Sequence, residues 1–129
     1  RARLSQGLPD FACIDVAFIS LRLVLPVVSQ LLVAPAELVM LIKPQFEAGR
    51  QLVGKKGVVR EAKVHLQVLE DVLRAADGLN FSLWNLDFSP IQGPQGNIEY
   101  LAHGFFGRHS PKKPPTPEQV VEGAHNYFA

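Results

Sequence analysis

Glu37-Leu38-Val39-Met40-Leu41-Ile42-Lys43-Pro44 is the most informative segment of the sequence, because an apolar run ends abruptly on a lysine that a proline follows. A short, unbroken apolar run is typical of a strand that is buried on both faces, as in a parallel α/β sheet. Open α/β sheets bind their ligands beyond the carboxyl ends of such strands. The run therefore predicts a buried strand that delivers the Lys43 cation to a ligand site.

Two further apolar stretches carry a carboxylate at a comparable place. The run Phe11–Ile14 is followed directly by Asp15, and an apolar strand over residues 98–101 contains Glu99. Three strands thus deliver Asp15, Lys43 and Glu99, a set of charged groups that is suited to positioning and moving a proton. Taken singly, each of these residues is more typical of a solvated strand end or a helix cap.

The remaining regular elements follow from periodicity and capping residues. Ser20 predicts the start of a helix over residues 21–32, in which Pro26 is expected to cause a kink or a restart. A helix over residues 62–76 is expected to end at Gly78.

The connections set the direction of the strands. Residues 44–60 have no clear period and predict a long loop, whereas residues 81–86 alternate as a strand does. Residues 89–97 are rich in turn formers and leave no room for a helix, so the last two strands should run antiparallel. The prediction is an α/β fold with a mixed sheet.

The 129 residues are expected to form one domain with an appended helix. We assign residues 1–103 to the main domain, residues 104–117 to a Gly/Pro-rich linker and residues 118–129 to a terminal helix. Thr116 and Gln119 predict a capping box at the start of that helix. Because the chain begins without Met, it resembles a piece of a longer protein.

Composition excludes several classes of function. A net charge of +1 gives no global attraction to nucleic acid, and a single cysteine fits a reducing, cytoplasmic compartment. We expect no membrane span and no signal peptide, because every long apolar region is interrupted. The four histidines lack ligand spacing, so no metal site is expected.

Three motifs occur in this order: Asp15-Val16-Ala17-Phe18-Ile19-Ser20-Leu21, Ile42-Lys43-Pro44-Gln45-Phe46-Glu47 and the stretch over residues 89–101. Together they resemble the TlyA-type ribosomal RNA methyltransferases, some of which are called haemolysin A. The resemblance covers residues 11–101. It implies the C-terminal half of a class I, Rossmann-like methyltransferase fold with an FtsJ-like catalytic domain. It also implies S-adenosylmethionine as cofactor and 2′-O-methylation of a ribose in ribosomal RNA.

The resemblance further implies roles for individual residues. The family uses a Lys-Asp-Lys-Glu tetrad, in which Asp15, Lys43 and Glu99 match the aspartate, the second lysine and the glutamate. Asp15 and Phe18 are implied to bind the cofactor. The first lysine and the glycine-rich turn that holds the cofactor belong upstream of this chain, so the isolated chain is expected to be inactive. Whether Lys43 acts as a base or orients the hydroxyl stays open.

Other residues allow two interpretations. Arg50, Lys55 and Lys56 would contact an RNA backbone, or they form a solvated loop. Phe46 stacks on a base or packs under the loop, and we favour packing, whereas Trp84 is expected in the core or at an interface.

Two alternatives to the enzyme remain. The first is a non-catalytic methyltransferase-like module that binds RNA or protein. The second is a pore-forming haemolysin, which the lack of a spanning segment disfavours. An exposed sheet edge along residues 11–15 is expected to permit a homodimer.

Overall fold

The computed structural model describes residues 9–49, 53–54 and 57–129. The strands are β1 (Phe11–Ile14), β2 (Ala36–Ile42), β3 (Phe81–Phe88) and β4 (Tyr100–Phe106). The helices are α1 (Leu21–Leu31), α2 (Pro44–Glu47), α3 (Ala62–Asp77) and α4 (Pro117–Tyr127), with a 3-10 turn at Pro94–Gly96. None of the helices in these described ranges is both long and apolar enough to cross a bilayer.

The four strands form one mixed sheet in the order β1-β2-β4-β3. β1 and β2 run parallel, whereas β4 runs antiparallel to both β2 and β3. This confirms the predicted α/β fold with an antiparallel last strand. In the register between β2 and β4, Ile42 lies opposite Tyr100. The carboxyl end of β2 therefore lies beside the amino end of β4.

Burial in β2 alternates instead of being complete. Ala36, Leu38, Met40 and Ile42 are buried, whereas the side chains between them are half-buried. The predicted burial on both faces is therefore wrong for the part of the chain that the structure describes. α3 packs near this sheet and contributes Val68, Leu69 and Val72 to the same core. This packing explains why one face of β2 is more buried than the other.

α1 begins where the sequence predicts, and it does not restart at Pro26. The Ser20 hydroxyl accepts a hydrogen bond from the Arg22 backbone N–H and caps the helix. Leu21 and Leu25, which precede Pro26, are 1% and 0% exposed. Their packing keeps the helix continuous despite the hydrogen bond that proline removes.

The segment directly after Lys43 forms a helical turn, so the loop predicted there begins later. α2 occupies Pro44–Glu47, with Lys43 as its N-cap and Pro44 at its first position. Proline suits that position because its fixed φ matches the helix and its missing N–H would be unpaired there in any case. One turn is too short to produce a readable period, so the loop predicted over residues 44–60 is wrong over these four residues.

β4 begins and ends later than predicted. It covers Tyr100–Phe106, so Glu99 precedes the strand, and residues 104–106 belong to the sheet, not to the linker. Gly104 fits here because a Cβ atom at this position would lie 2.3 Å from the Ser82 carbonyl oxygen. Glycine in a strand often marks such a close backbone approach.

The terminal helix α4 begins as the sequence predicts. The Thr116 side chain accepts from the Gln119 N–H, and the Gln119 side chain accepts from the Thr116 N–H, which completes the capping box. Val120, Val121 and Ala124 are buried. The helix packs against α3 and β3, so it shares their core.

Candidate active site

Two charged side chains meet at the carboxyl ends of the parallel strands. Asp15 directly follows β1 and Lys43 directly follows β2, and the pairing of these strands places their ends side by side. The Lys43 Nζ atom lies 2.5 Å from Asp15 Oδ1. The side chain of Lys43 is 17% exposed and that of Asp15 56%, so the pair is open to a ligand from the aspartate side.

Glu99 lies at the same edge but does not join this ion pair. It precedes β4, whose first residue Tyr100 lies opposite Ile42, next to Lys43. Among the described residues Lys43 pairs with Asp15 alone, and Glu99 Oε2 instead accepts a hydrogen bond of 3.1 Å from Gln45 Nε2. Of the three residues that match the tetrad, Asp15 and Lys43 are thus in contact, whereas Glu99 is hydrogen-bonded to Gln45.

Phe18 projects from the loop between β1 and α1. Its side chain is 89% exposed, its φ is +66°, and its ring centroid lies 4.8 Å from that of Phe46. A positive φ is uncommon for a bulky residue. Phe46 therefore packs on the loop between β1 and α1, whereas its predicted packing under the loop after Lys43 involves residues outside the described ranges and stays a prediction. An exposed aromatic ring stands three positions after Asp15.

Glu47 is the site residue that the sequence did not single out. It is 9% exposed, and its two carboxylate oxygens accept from the Ser20 hydroxyl at 2.6 Å and from the Leu21 N–H at 2.8 Å. α1 has no acidic residue in its own first turn, so Glu47 supplies the negative charge that a helix N-terminus favours. The lack of an acidic residue in the first turn of α1 is the one feature of the sequence that could have indicated this role of Glu47.

α2 therefore connects the three motifs. Lys43, which caps it, contacts Asp15, and the following side chains contact other parts of the site: Gln45 contacts Glu99, Phe46 contacts Phe18, and Glu47 contacts Ser20 and Leu21. A single helical turn fixes the loop after β1 and the residue before β4 relative to Lys43.

A second polar cluster lies in the interior, where α3, α4 and β4 meet. His65 is fully buried, and its Nε2–H donates to the Val59 carbonyl oxygen at 2.8 Å. Its Nδ1 must then act as acceptor, and it lies 2.9 Å from both Tyr100 Oη and His125 Nε2. No local sequence pattern indicates this contact, because His65 and His125 are 60 residues apart.

Burial favours the neutral forms of these three side chains. It lowers the pKa of His65, and the nearby His125 lowers it further, although the hydrogen bond to Val59 acts in the opposite direction. Burial also lowers the pKa of His125 and raises that of Tyr100. No group of three or more His, Cys, Asp or Glu side chains suited to a metal ion occurs within the described ranges.

Trp84 lies in a half-buried aromatic cluster on β3 and β4. Its ring centroid is 4.4 Å from that of Phe105, its Nε1–H donates to the Arg108 carbonyl oxygen at 3.3 Å, and the Arg108 guanidinium lies 4.9 Å from its ring centroid. These contacts place Trp84 away from the Asp15–Lys43 pair.

The predicted RNA-binding residues Arg50, Lys55 and Lys56 lie outside the described residues. Their role stays a prediction, as does the homodimer through the edge that β1 forms in the strand order.

A family model described as FtsJ-like methyltransferase matches residues 1–106. YqxC of Bacillus subtilis (strain 168) is 47% identical over 128 residues, which cover 96% of this chain and 46% of that protein. The 16S/23S rRNA (cytidine-2′-O)-methyltransferase TlyA of Mycobacterium tuberculosis (strain ATCC 25618 / H37Rv) is 38% identical over 95 residues, 74% of this chain and 35% of that protein.

The solved structures agree with these sequence matches. A protein from Streptococcus thermophilus, provisionally named a hemolysin, superposes with a TM-score of 0.88 at 47% identity and covers 98% of this chain and 46% of its own. The chain thus spans less than half the length of these relatives. The resemblance that the three sequence motifs indicate is confirmed.

Proposed function

The chain belongs to the FtsJ-like methyltransferase family, and we propose that it forms the C-terminal half of an S-adenosylmethionine-dependent enzyme that methylates ribose 2′-hydroxyls of ribosomal RNA. The observation that supports this most is the Lys43–Asp15 ion pair at the carboxyl edge of the parallel strands, with Glu99 at the same edge. Relatives that are named rRNA (cytidine-2′-O)-methyltransferases support the choice of substrate. The cytoplasm, where such RNA is found, is the proposed location.

The residues present fit the proposed cofactor. When bound, S-adenosylmethionine supplies an electrophilic methyl group on a positively charged sulfur. The exposed carboxylate of Asp15 suits that positive charge, and the exposed ring of Phe18 suits a planar adenine. We propose that these two side chains hold the cofactor beside Lys43.

Lys43 is the proposed catalytic residue. A ribose hydroxyl is a poor nucleophile, so the enzyme must hold it in line with the methyl group and manage the departing proton. Asp15 fixes the Nζ atom at the strand end, where it can meet the hydroxyl. If the neutral amine accepts the proton, the methylation rate should rise with pH. If the charged ammonium orients the hydroxyl, the rate should stay level.

We further propose that upstream residues complete the cofactor site and that the chain alone is inactive. The chain covers 46% of its Bacillus subtilis relative, which leaves room for the missing half. Calorimetry with S-adenosylmethionine should therefore detect binding by a form extended upstream through the whole methyltransferase domain, and none by this chain. If neither form binds, a non-catalytic RNA- or protein-binding module becomes the better account. Binding of S-adenosylmethionine by this chain without the extension would contradict the proposal that upstream residues complete the cofactor site.

A substitution at Lys43 tests the catalytic assignment. Lys43→Ala in the extended protein should abolish methyl transfer to ribosomal RNA while the fold stays intact. Lys63→Ala is the matched control, because the Lys63 side chain is 84% exposed and its ion pair with Glu61 is at the surface. Retained methylation by Lys43→Ala, or an unfolded protein, would contradict the role.

A further inference from the structure

We propose that Gln45 and Gly93 are positioning residues that fix the carboxylate of Glu99 in the active site. The inference rests on the proposed function, in which Glu99 is a member of the catalytic set. Gln45 acts on Glu99 through a hydrogen bond, and Gly93 acts on it through the space that it leaves.

Gln45 holds the carboxylate from the side of Lys43. It lies on α2, two residues after Lys43, and its Nε2 atom is 3.1 Å from Glu99 Oε2. A carboxylate only accepts hydrogen bonds, so the amide must turn its NH₂ group toward Glu99. The contact therefore sets the orientation of the Gln45 side chain.

In this orientation the other end of the amide finds no partner in the ranges that the structure describes. Gln45 Oε1 is buried and has no hydrogen-bond partner among the described residues. A buried acceptor without a partner costs about 1–3 kcal/mol, so the hydrogen bond to Glu99 is formed at a cost to the other end of the amide. The amide is thus directed at Glu99 although its own oxygen has no partner in the described part of the chain.

Gly93 leaves the space that the carboxylate occupies, because it has no side chain. A Cβ atom at this position would lie 2.2 Å from Glu99 Oε2 and 2.7 Å from Cδ. The backbone at Gly93 has φ −76° and ψ −168°, which an alanine also adopts, so glycine is needed here for space and not for conformation.

Hydrogen bonds fix the loop that carries Gly93, so the backbone next to the Glu99 carboxylate is held in place. The Gly93 N–H donates to the Asn97 carbonyl oxygen at 2.7 Å. The Asn97 side chain, which is 2% exposed, donates to the carbonyl oxygens of Gly57 and Pro94 and accepts from the Val59 N–H. An alanine at position 93 would therefore displace the flexible end of Glu99, not the loop.

The contact can be tested in this chain by NMR of the Gln45 side-chain amide. Glu99→Ala and Gly93→Ala should each shift the Gln45 amide resonances, since one removes the acceptor and the other displaces it. Gly78→Ala is the matched control, because its added Cβ would meet no atom closer than 3.6 Å and its φ is −64°. Unchanged Gln45 resonances in the Glu99→Ala and Gly93→Ala proteins would overturn the proposal.

The positioning role can be tested in the extended protein. Gln45→Met and Gly93→Ala should each lower kcat for RNA methylation by about 10²-fold, the loss expected from a displacement of about 1 Å, with the affinity for S-adenosylmethionine unchanged. Gln30→Met, on the exposed face of α1, should retain the rate.

A double-substitution cycle separates positioning from a general structural effect. In a Glu99→Ala background neither Gln45→Met nor Gly93→Ala should lower the rate further, because both act through the missing carboxylate. Undiminished rates in the single variants, or fully additive losses in the cycle, would overturn the inference. If the unsubstituted extended protein fails to methylate RNA, the proposed function fails, and the NMR test still decides the contact.

Discussion

The buried carboxylate of Glu47 offers the sharpest test of how α2 holds the site together. It accepts hydrogen bonds from the Ser20 hydroxyl and the Leu21 N–H, and these two donors bind different carboxylate oxygens. Both bonds cross from α2 to the start of α1, so they tie the loop that carries Asp15 and Phe18 to the strand end that carries Lys43. Replacing Glu47 should therefore lower the free energy of unfolding.

The magnitude follows from the two bonds. A hydrogen bond to a charged group contributes about 1.5–3 kcal/mol. Because Ser20 is half-buried and water can replace part of its bond, Glu47→Ala should lower the free energy of unfolding by about 3 kcal/mol. Glutamine offers one acceptor oxygen in place of two, so Glu47→Gln should keep one of the bonds and lose about 2 kcal/mol.

Urea denaturation followed by fluorescence measures this loss, because Trp84 is the single tryptophan of the chain. With a typical slope of about 1.5 kcal/mol/M, the midpoint for Glu47→Ala should fall by about 2 M. Glu122→Gln on the exposed face of α4 is the control and should change the midpoint little. A loss below about 1 kcal/mol for Glu47→Ala, or equal losses for alanine and glutamine, would refute the reasoning.

Three further predictions concern other parts of the fold. Burial holds the pKa of His65, and that of its neighbour His125, below the ordinary 6.5. The unfolded chain then binds more protons below pH 6.5, so urea midpoints should fall as the pH is lowered from 7.5 to 5.5, and a His65→Gln protein should show a weaker dependence. Gly104→Ala should destabilise the sheet by about 2 kcal/mol or more, because its Cβ would meet the backbone of Ser82, and an unchanged melting temperature would contradict this. Thr116→Ala should lower the free energy of unfolding by about 1 kcal/mol through loss of the capping box, and a urea midpoint equal to that of the parent would count against it.

Local signals made much of the fold predictable. The caps at Ser20 and Thr116 and the C-cap at Gly78 lie within a few residues of the helix ends that they mark, and the structure places all three as predicted. The proximity of Asp15 and Lys43 could also be predicted from the sequence. Two consecutive apolar strands that run parallel as neighbours end at the same edge, so the residues that follow them meet.

The elements that were missed lack such local signals. α2 is a single turn and shows no period. β4 extends beyond residue 101 through a histidine and a glycine, and its course is set by cross-strand pairing with β2 and β3. The contacts of Glu47 with Ser20 and of His65 with His125 join residues 27 and 60 positions apart, which no local pattern reveals.

The position of β4 in the sheet dictates an order of events during synthesis. β4 is the last of the described strands in sequence order, yet it lies between β2 and β3, which do not pair with each other in the described sheet. As the chain leaves the ribosome, β2 must wait with one edge open until Tyr100–Phe106 has emerged. Pairings across such long sequence separations form slowly and leave apolar strand edges prone to association in the meantime. A nascent chain stalled before β4 is thus the form that most needs a chaperone.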